Sequence, residues 1–409
     1  MERLSIITTG NTVPYQNIAL EKFLLDRVQP GQCFLYLWQN AHTVVIGRNQ
    51  SALGEVRVAQ LEVSGGHLAR RLSGGGAVYH DLGNLNFTFV CRREDYDVAR
   101  QTEVILRAVR ALGVPARRTG RNDLVAGPAA GAEGADGAGC ASGGKFSGHA
   151  YYRTGGACYH HGTLMVDVDL NALGRYLRPA PDKLAAKGVQ SVRSRVVNLA
   201  QLVPGLTVGS LAEALCDAFE AEYGREAERL RFEAAEPVNL TGVGHRPQVY
   251  PVGAGHCPPF AQSAKTQPGE SVRPNGRCAS GASPLSAFRQ AGAASAFSDA
   301  DLAEIAVLTR QFSSSEWLFR DERAFERRLH ARFAWGGVTL RYALADETIA
   351  ECALDSDGLE ADFLEVVPSL LVGCTFGRAT VEAALLAAAE DESQQEVVRD
   401  VAGMFPAAS

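Results

Sequence analysis

A chain of 409 residues, 46% apolar and 21% charged, has the composition of an ordinary globular protein and the length for two cores. Its formal net charge of −6 argues against non-specific binding to nucleic acid or anionic lipid, although local basic patches can still hold phosphate. Nine cysteines, an odd number with no CxxC pair, form neither a disulfide framework nor a zinc site and point to a reducing compartment.

Met1 to Gly10 carries no secretory core and no Arg-rich presequence, and no stretch approaches the roughly 18 apolar residues that span a bilayer. The expectation is a cytoplasmic protein with no membrane and no nucleic-acid partner. After Pro14, Leu20, Leu24 and Val28 form an apolar ridge at helical spacing, and Gly31 ends the helix. Cys33–Gln39 and Thr43–Gly47 read as strands of a hairpin across Asn40–His42. Leu68–Leu72 and Ala77–His80 are strand-like pieces joined by Ser73-Gly74-Gly75-Gly76, and Asn86–Val90 is a further strand. Val98, Thr102, Ile105, Val109 and Leu112 share one helical face.

Residues 126–144 are nearly all Ala, Gly, Ser and small acids, which predicts a flexible inserted loop. Ser210-Leu211-Ala212-Glu213 reads as a capping box, with Gly224 past the helix end. Residues 242–297, rich in Pro, Gly, Ser and Ala, read as a linker. A second unit is expected over 298–409, opening on a helix capped by Ser298. It continues through a turn at Trp335-Gly336-Gly337, a strand over Val338–Tyr342, and helices near 363–372 and 379–386. The first unit is 1–241.

Four stretches carry chemistry. The first runs from Arg70-Arg71-Leu72-Ser73-Gly74-Gly75-Gly76 through Ala77-Val78-Tyr79-His80 to Asn84. Glycines let a ligand approach backbone N–H groups, successive N–H groups make an anion-binding concavity, and arginine adds a fork for phosphate or carboxylate. A glycine-rich turn with solvated arginines is the plain alternative. It is neither a Walker A loop nor a Rossmann fingerprint. In the second, Asn122-Asp123 precedes the inserted loop and Lys145-Phe146-Ser147-Gly148 follows it. Lys145 can neutralise charge that develops on a phosphate or carboxylate, and Asp123 can hold Mg²⁺ beside substrate phosphates. A surface lysine beside a turn is the competing reading. The third is His160-His161-Gly162-Thr163, whose adjacent histidines point to opposite strand faces and so make poor partners for one metal. The fourth, from Asp182 to Leu199, carries Lys183, Lys187, Arg193 and Arg195, which suit an acidic partner or a solvated face.

Taken in order, these stretches closely resemble the lipoate–protein ligase family, over about residues 4–241 and from 298 to the C-terminus. Asn17-Ile18-Ala19-Leu20-Glu21, Thr43 to Arg48 and Arg332 to Gly337 fit the same resemblance. It implies an α+β fold, a biotin/lipoate-ligase-like mixed sheet flanked by helices, with a small α+β C-terminal accessory domain. It further implies a ligase that uses ATP and Mg²⁺ to make lipoyl-AMP. The lipoyl group then passes to a lysine on lipoyl domains of 2-oxoacid dehydrogenase acyltransferase subunits or on the glycine-cleavage H-protein. By the same resemblance Lys145 is the active-site lysine. Arg71, Gly76, Ala77, Val78 and Tyr79 take the nucleotide, and Asn122 and Asp123 its phosphates and Mg²⁺. Ser73, Gly74, Gly75, His80, Asn84, His161 and Thr163 belong to the same ligand-binding set, with Ile18, Leu20 and Val45 as apolar wall. A transferase acting through Cys158 is the rival enzyme and a fold-sharing inert binder the rival class. The GRGR-type loop of biotin–protein ligases is absent.

Overall fold

The computed structural model describes residues 1–119, 122–127, 143–178, 196–233, 285, 297–320, 322–323 and 325–407. Most of the expected inserted loop and linker, and the basic stretch with Lys183, Lys187, Arg193 and Arg195, therefore lie outside the described residues.

An eight-stranded mixed sheet organises the first unit, in the order β11-β1-β2-β6-β10-β9-β8-β7. Its strands are β1 Arg3–Thr9, β2 Gln32–Trp38, β6 Asn84–Arg92, β7 Ala116–Thr119, β8 Asp123–Ala126, β9 Gly144–Arg153, β10 Ala157–Met165 and β11 Glu228–Phe232. Both faces are covered, so the central strands are buried along their length even where polar residues alternate, as Asn84, Asn86 and Thr88 do in β6. Helix α1, Pro14–Arg27, makes the crossover between parallel strands β1 and β2 and lies on one face. The helices Val98–Ala111 and Val208–Tyr223 cover the other. Asp97 caps the former by accepting from Arg100 N. The latter starts earlier than the sequence suggested: Thr207 is its N-cap, in a box with Ser210, and Gly224 ends it at φ 64°.

The expected hairpin between Cys33–Gln39 and Thr43–Gly47 does not form. His42 takes a positive φ of 36°, and the chain leaves the large sheet. β3, Thr43–Ile46, becomes the centre of a separate small sheet, parallel to β4 (His67–Arg70) and antiparallel to β5 (Val78–His80). The SGGG turn thus joins two strands that flank β3 rather than pair with each other. The edges of the expected inserted loop also shift, because Ala126 and Gly144 are paired strand residues.

Ser298 caps the helix Asp299–Ser313 as expected. Ile305 and Phe312 of that helix, with Leu318 and Phe319 beyond it, bury themselves in the core beneath α1. A third core follows, built from β12 (Arg327–Phe333), β13 (Gly336–Ala345) and β14 (Thr348–Ser356) with three helices, Ala361–Leu371, Arg378–Leu386 and Glu392–Gly403. Among the described residues no helix is long and apolar enough to cross a membrane.

Candidate active site

A cavity of about 280 Å³ lies over the large sheet. Its floor follows one row of register partners across five strands: Trp38 opposite Asn86, Asn86 opposite Thr163, Thr163 opposite Gly148, and Gly148 opposite Asp123. Neighbouring strands stand about 4.8 Å apart, so this row is about 19 Å long. Its two ends differ in chemistry.

At the β8–β9 end, Lys145 Nζ stands 2.7 Å from Asp123 Oδ1. Strict alternation from Gly148 would turn Lys145 to the opposite face. The register breaks here: Leu124 pairs with Ser147 and Val125 with Lys145, so Phe146 is an extra residue, a β-bulge. Phe146 is fully buried in the far core, and Lys145 returns to the cavity side. Gly148 completes the arrangement, since a Cβ there would lie only 3.1 Å from the lysine amine. Val196, where the described chain resumes, bridges Lys145, and Val197 N donates to Lys145 O at 2.9 Å.

The loop between β4 and β5 forms the roof. Arg70 and Arg71 are buried and knit this loop together rather than standing in solvent. Arg70 Nε and Nη2 donate to the carbonyls of Trp317 and Leu318, and Nη1 to those of Gly47, Arg48 and Gln50. Arg71 donates to the carbonyls of Val45, Gly74 and Gly76 and to Ser73 Oγ. Burial lowers both guanidinium groups, to about 9 and about 10, leaving them charged at neutral pH. Ser73 Oγ faces His161 Nε2 at 2.7 Å, and His161 Nδ1 donates to Glu21 Oε1 at 2.8 Å. Glu21 Oε1 also accepts from Thr88 Oγ1, which accepts from Trp38 Nε1. A buried polar chain thereby fixes the serine that starts the glycine turn.

His160 points the other way, as adjacent strand residues must. It bonds His149 at 2.8 Å and Gln101 Oε1 at 3.1 Å, between Phe87 and Tyr151. Burial holds His160 well below the usual range and pushes His149 and His80 down to about 3. Cys158 is buried and its thiol is pushed up to about 11, chiefly by desolvation, which makes it a poor nucleophile.

The second unit closes one side of the cavity. Trp335, Asp357 and Leu359 reach its wall, and Gly75 N donates to Gly358 O at 3.2 Å. A Cβ on Gly74 would collide with Gly358 O. Around this contact Arg48 pairs with Asp362 at 3.1 Å and with Glu365, and Ser356 N donates to Asn49 O at 2.7 Å. Glu322 accepts from Ser51 Oγ and Ala52 N at the start of the short helix Ala52–Glu55.

The structure brings Arg71, Gly75, Gly76, Ala77, Val78 and His80 to this cavity. Asn122, Asp123, Lys145, His161, Thr163, Ile18 and Val45 line it too. Five expected residues are not on the wall. Ser73 acts through His161, and Gly74 meets the second unit. Tyr79 stacks on Tyr176, and Asn84 donates to Asn86 Oδ1. Leu20 packs in the core beneath. Sequence reasoning did not single out Glu21, Trp38 or Asn86, nor Trp335, Asp357 and Leu359 from the second unit. Among the described residues no group of three or more His, Cys, Asp or Glu side chains is placed to hold a metal.

The model of the lipoyl protein ligase A/B catalytic domain family matches residues 13–220, and that of the bacterial lipoate protein ligase C-terminus matches 322–401. Among solved structures, the chain is similar to P. falciparum LipL1 in complex with lipoate, at 19% identity and a TM-score of 0.68. That alignment covers 97% of this chain and 98% of that one, and it shows a shared fold. A bi-partite lipoate protein ligase from Thermoplasma acidophilum matches at 28% identity and a TM-score of 0.48, over 56% of this chain and 87% of that one. A lipoate-protein ligase A bound with ATP matches at 28% identity and a TM-score of 0.46, over 57% and 90%.

Proposed function

The chain belongs to the lipoyl protein ligase A/B catalytic family, and from that premise we propose that it is an ATP-dependent lipoate–protein ligase. The observation that supports this best is the convergence, in one cavity, of the Lys145 amine with the glycine turn over Gly75–Val78.

In the proposed reaction a carboxylate oxygen of lipoate attacks the α-phosphorus of ATP, and the bond to pyrophosphate breaks. The product is lipoyl-AMP, a mixed anhydride. The ε-amine of an acceptor lysine then attacks the lipoyl carbonyl carbon. The carbon–oxygen bond to AMP breaks and the nitrogen gives up a proton. Lys145 would neutralise negative charge on the α-phosphate and on the carbonyl oxygen, without itself becoming acylated. The backbone of Gly76, Ala77, Val78 and Tyr79 would flank the nucleotide, and Asn122 would order its phosphate end. Arg71 would act by shaping the loop, because its donors already hold loop carbonyls.

Asp123, on the cavity wall beside Lys145, would hold an Mg²⁺ ion that arrives with nucleotide phosphates and keeps several waters. Held by Asp123, such an ion would offset phosphate charge. The lipoyl chain would run along the floor past Thr163 toward Trp38. Lipoyl domains of 2-oxoacid dehydrogenase acyltransferase subunits and the glycine-cleavage H-protein are the proposed acceptors. Residues 1–241 would form the catalytic domain and 298–409 the accessory domain, whose first helix, Asp299–Ser313, packs into the core beneath α1. Mass spectrometry of an apo lipoyl domain incubated with enzyme, ATP, Mg²⁺ and lipoate tests the proposal. One lipoyl adduct that requires ATP is expected, and an unmodified domain overturns it.

A further inference from the structure

Beside the catalytic cavity, and larger than it, a groove of about 540 Å³ runs between the large sheet and the helix Ala361–Leu371. Asn122 and Leu359 line both spaces, so the two adjoin at the Lys145 end of the cavity. The reaction proposed above leaves this groove without a use.

Its two walls carry opposite charge. Arg93, Arg118 and Arg153 stand on the side of the large sheet. Glu360, Glu390 and Asp391 stand on the side of the second unit. The three arginines and Glu390 are exposed. One ion pair crosses the groove, Arg153 Nη1 to Asp391 Oδ2 at 3.7 Å, with the two side chains half and two-fifths exposed. An exposed pair of this kind adds little to stability, so trading it for charges on a partner costs little. Tyr151 and Tyr152 are half-buried between the charges, and Val366 is exposed opposite them. Tyrosine and arginine are enriched where proteins meet, because each offers contact area together with a polar group.

The charge pattern limits what can lie here. A nucleotide or a free acid is anionic throughout, so it suits the arginine wall and is repelled by the carboxylates facing it. A protein surface that carries a lysine beside carboxylates suits both walls. We infer that the groove is the docking surface for the acceptor protein, and that it takes a surface segment whose target lysine stands beside acidic residues. The inference rests on the ligase reading above and deepens it. Carboxylates of the acceptor face Arg93, Arg118 and Arg153. The lysine follows the acidic wall and enters the cavity past Asn122 and Leu359. Complementary charge of this kind governs encounter rate and register more than raw affinity.

The test uses the full chain with ATP, Mg²⁺ and lipoate and reads two rates, pyrophosphate exchange and lipoylation of an apo lipoyl domain. Arg93 and Glu390 have no part in the proposed adenylation, and both are exposed. Arg93→Glu and Glu390→Lys are each expected to lower kcat/KM for the domain about fivefold or more, and to flatten its salt dependence. Pyrophosphate exchange should stay as in the parent. Changing the carboxylates that neighbour the target lysine of the domain to lysine should restore kcat/KM with Arg93→Glu, a rescue that a folding defect does not produce. Parental kcat/KM for the domain in both variants overturns the inference and leaves the ligase intact. A fall in exchange in either variant assigns the groove to nucleotide phosphates and also overturns it. Neither exchange nor adduct with the unaltered chain overturns the proposed function and this inference together.

Discussion

Phe146 is the residue that turns Lys145 toward Asp123. As the extra residue of a bulge, it sinks into the far core and restores its neighbour to the cavity face. Removing Phe146 from the chain straightens the strand and sends Lys145 to the wrong side. A Phe146 deletion is therefore expected to retain helical and strand content by circular dichroism but lose lipoyl-AMP formation. Phe146→Leu keeps the bulge, and should cost about 1–1.5 kcal/mol in urea unfolding with turnover largely preserved. Equal activity in the deletion variant would refute the geometric argument.

Lys145 and Asp123 are each about two-fifths exposed, and such a pair contributes at most about 1 kcal/mol to stability. Lys145→Ala should thus unfold at nearly the same urea concentration as the parent. Its rate of adenylate formation should fall by at least about a hundredfold, the scale of losing one charge-stabilising donor. Single-turnover measurement of lipoyl-AMP checks this, and an undiminished rate removes the role given to the lysine.

Gly74→Ala places a methyl group against Gly358 O and the backbone of Leu359. No side chain can yield there, so either the loop deforms or the two units part. The expected outcome is a larger radius of gyration by small-angle scattering and a higher KM for lipoate, as Leu359 and Trp335 leave the wall. A scattering profile and KM equal to the parent's would show that the contact is not needed.

Among the described residues Arg70 pairs with no carboxylate and serves five carbonyls. Arg70→Met fills similar space but strands those oxygens, and a loss of about 3–5 kcal/mol is expected. Urea denaturation monitored at Trp317, whose indole donates to Arg70 O, reads it directly. A loss below about 1 kcal/mol would contradict the carbonyl-shell account.

His80, His149 and His160 are held neutral by burial, far below the ordinary histidine range. Unfolded, each takes a proton near pH 6.5, whereas the folded protein does not until far lower. The unfolded state thus binds more protons, and stability falls as pH drops below about 6.5. The slope approaches about 1.4 kcal/mol per pH unit for each histidine. Urea midpoints at pH 7 and pH 5 should differ accordingly, and His160→Gln should flatten the dependence. A midpoint independent of pH over that range would count against buried neutral rings.

The Lys145 end of the cavity was legible because its residues are unusual in a strand: a glycine triplet, an isolated lysine, paired histidines. The Trp38 end was not. Trp38 and Asn86 read as ordinary strand residues, and only register places them side by side. Glu21 falls within the expected helix with no local sign of its role, yet it is fully buried and bound to His161. The arginines were read as a phosphate fork because burial leaves no trace in local sequence. The failed hairpin has the same origin, since nothing near Asn40–His42 reveals that β3 finds its partners in β4 and β5. Trp335 and Leu359 reach the cavity by tertiary packing alone.

The shell around Arg70 also bears on how the chain is made. Two of its five carbonyls arrive 247 and 248 residues downstream, at Trp317 and Leu318. On the ribosome, a nascent chain carrying the whole large sheet still leaves one guanidinium edge uncovered until that late segment emerges. Closing so long a loop precedes the reward, which makes this step slow relative to local folding. A chaperone that shields the β4 region, or a chain cut before Trp317, would act at this interval.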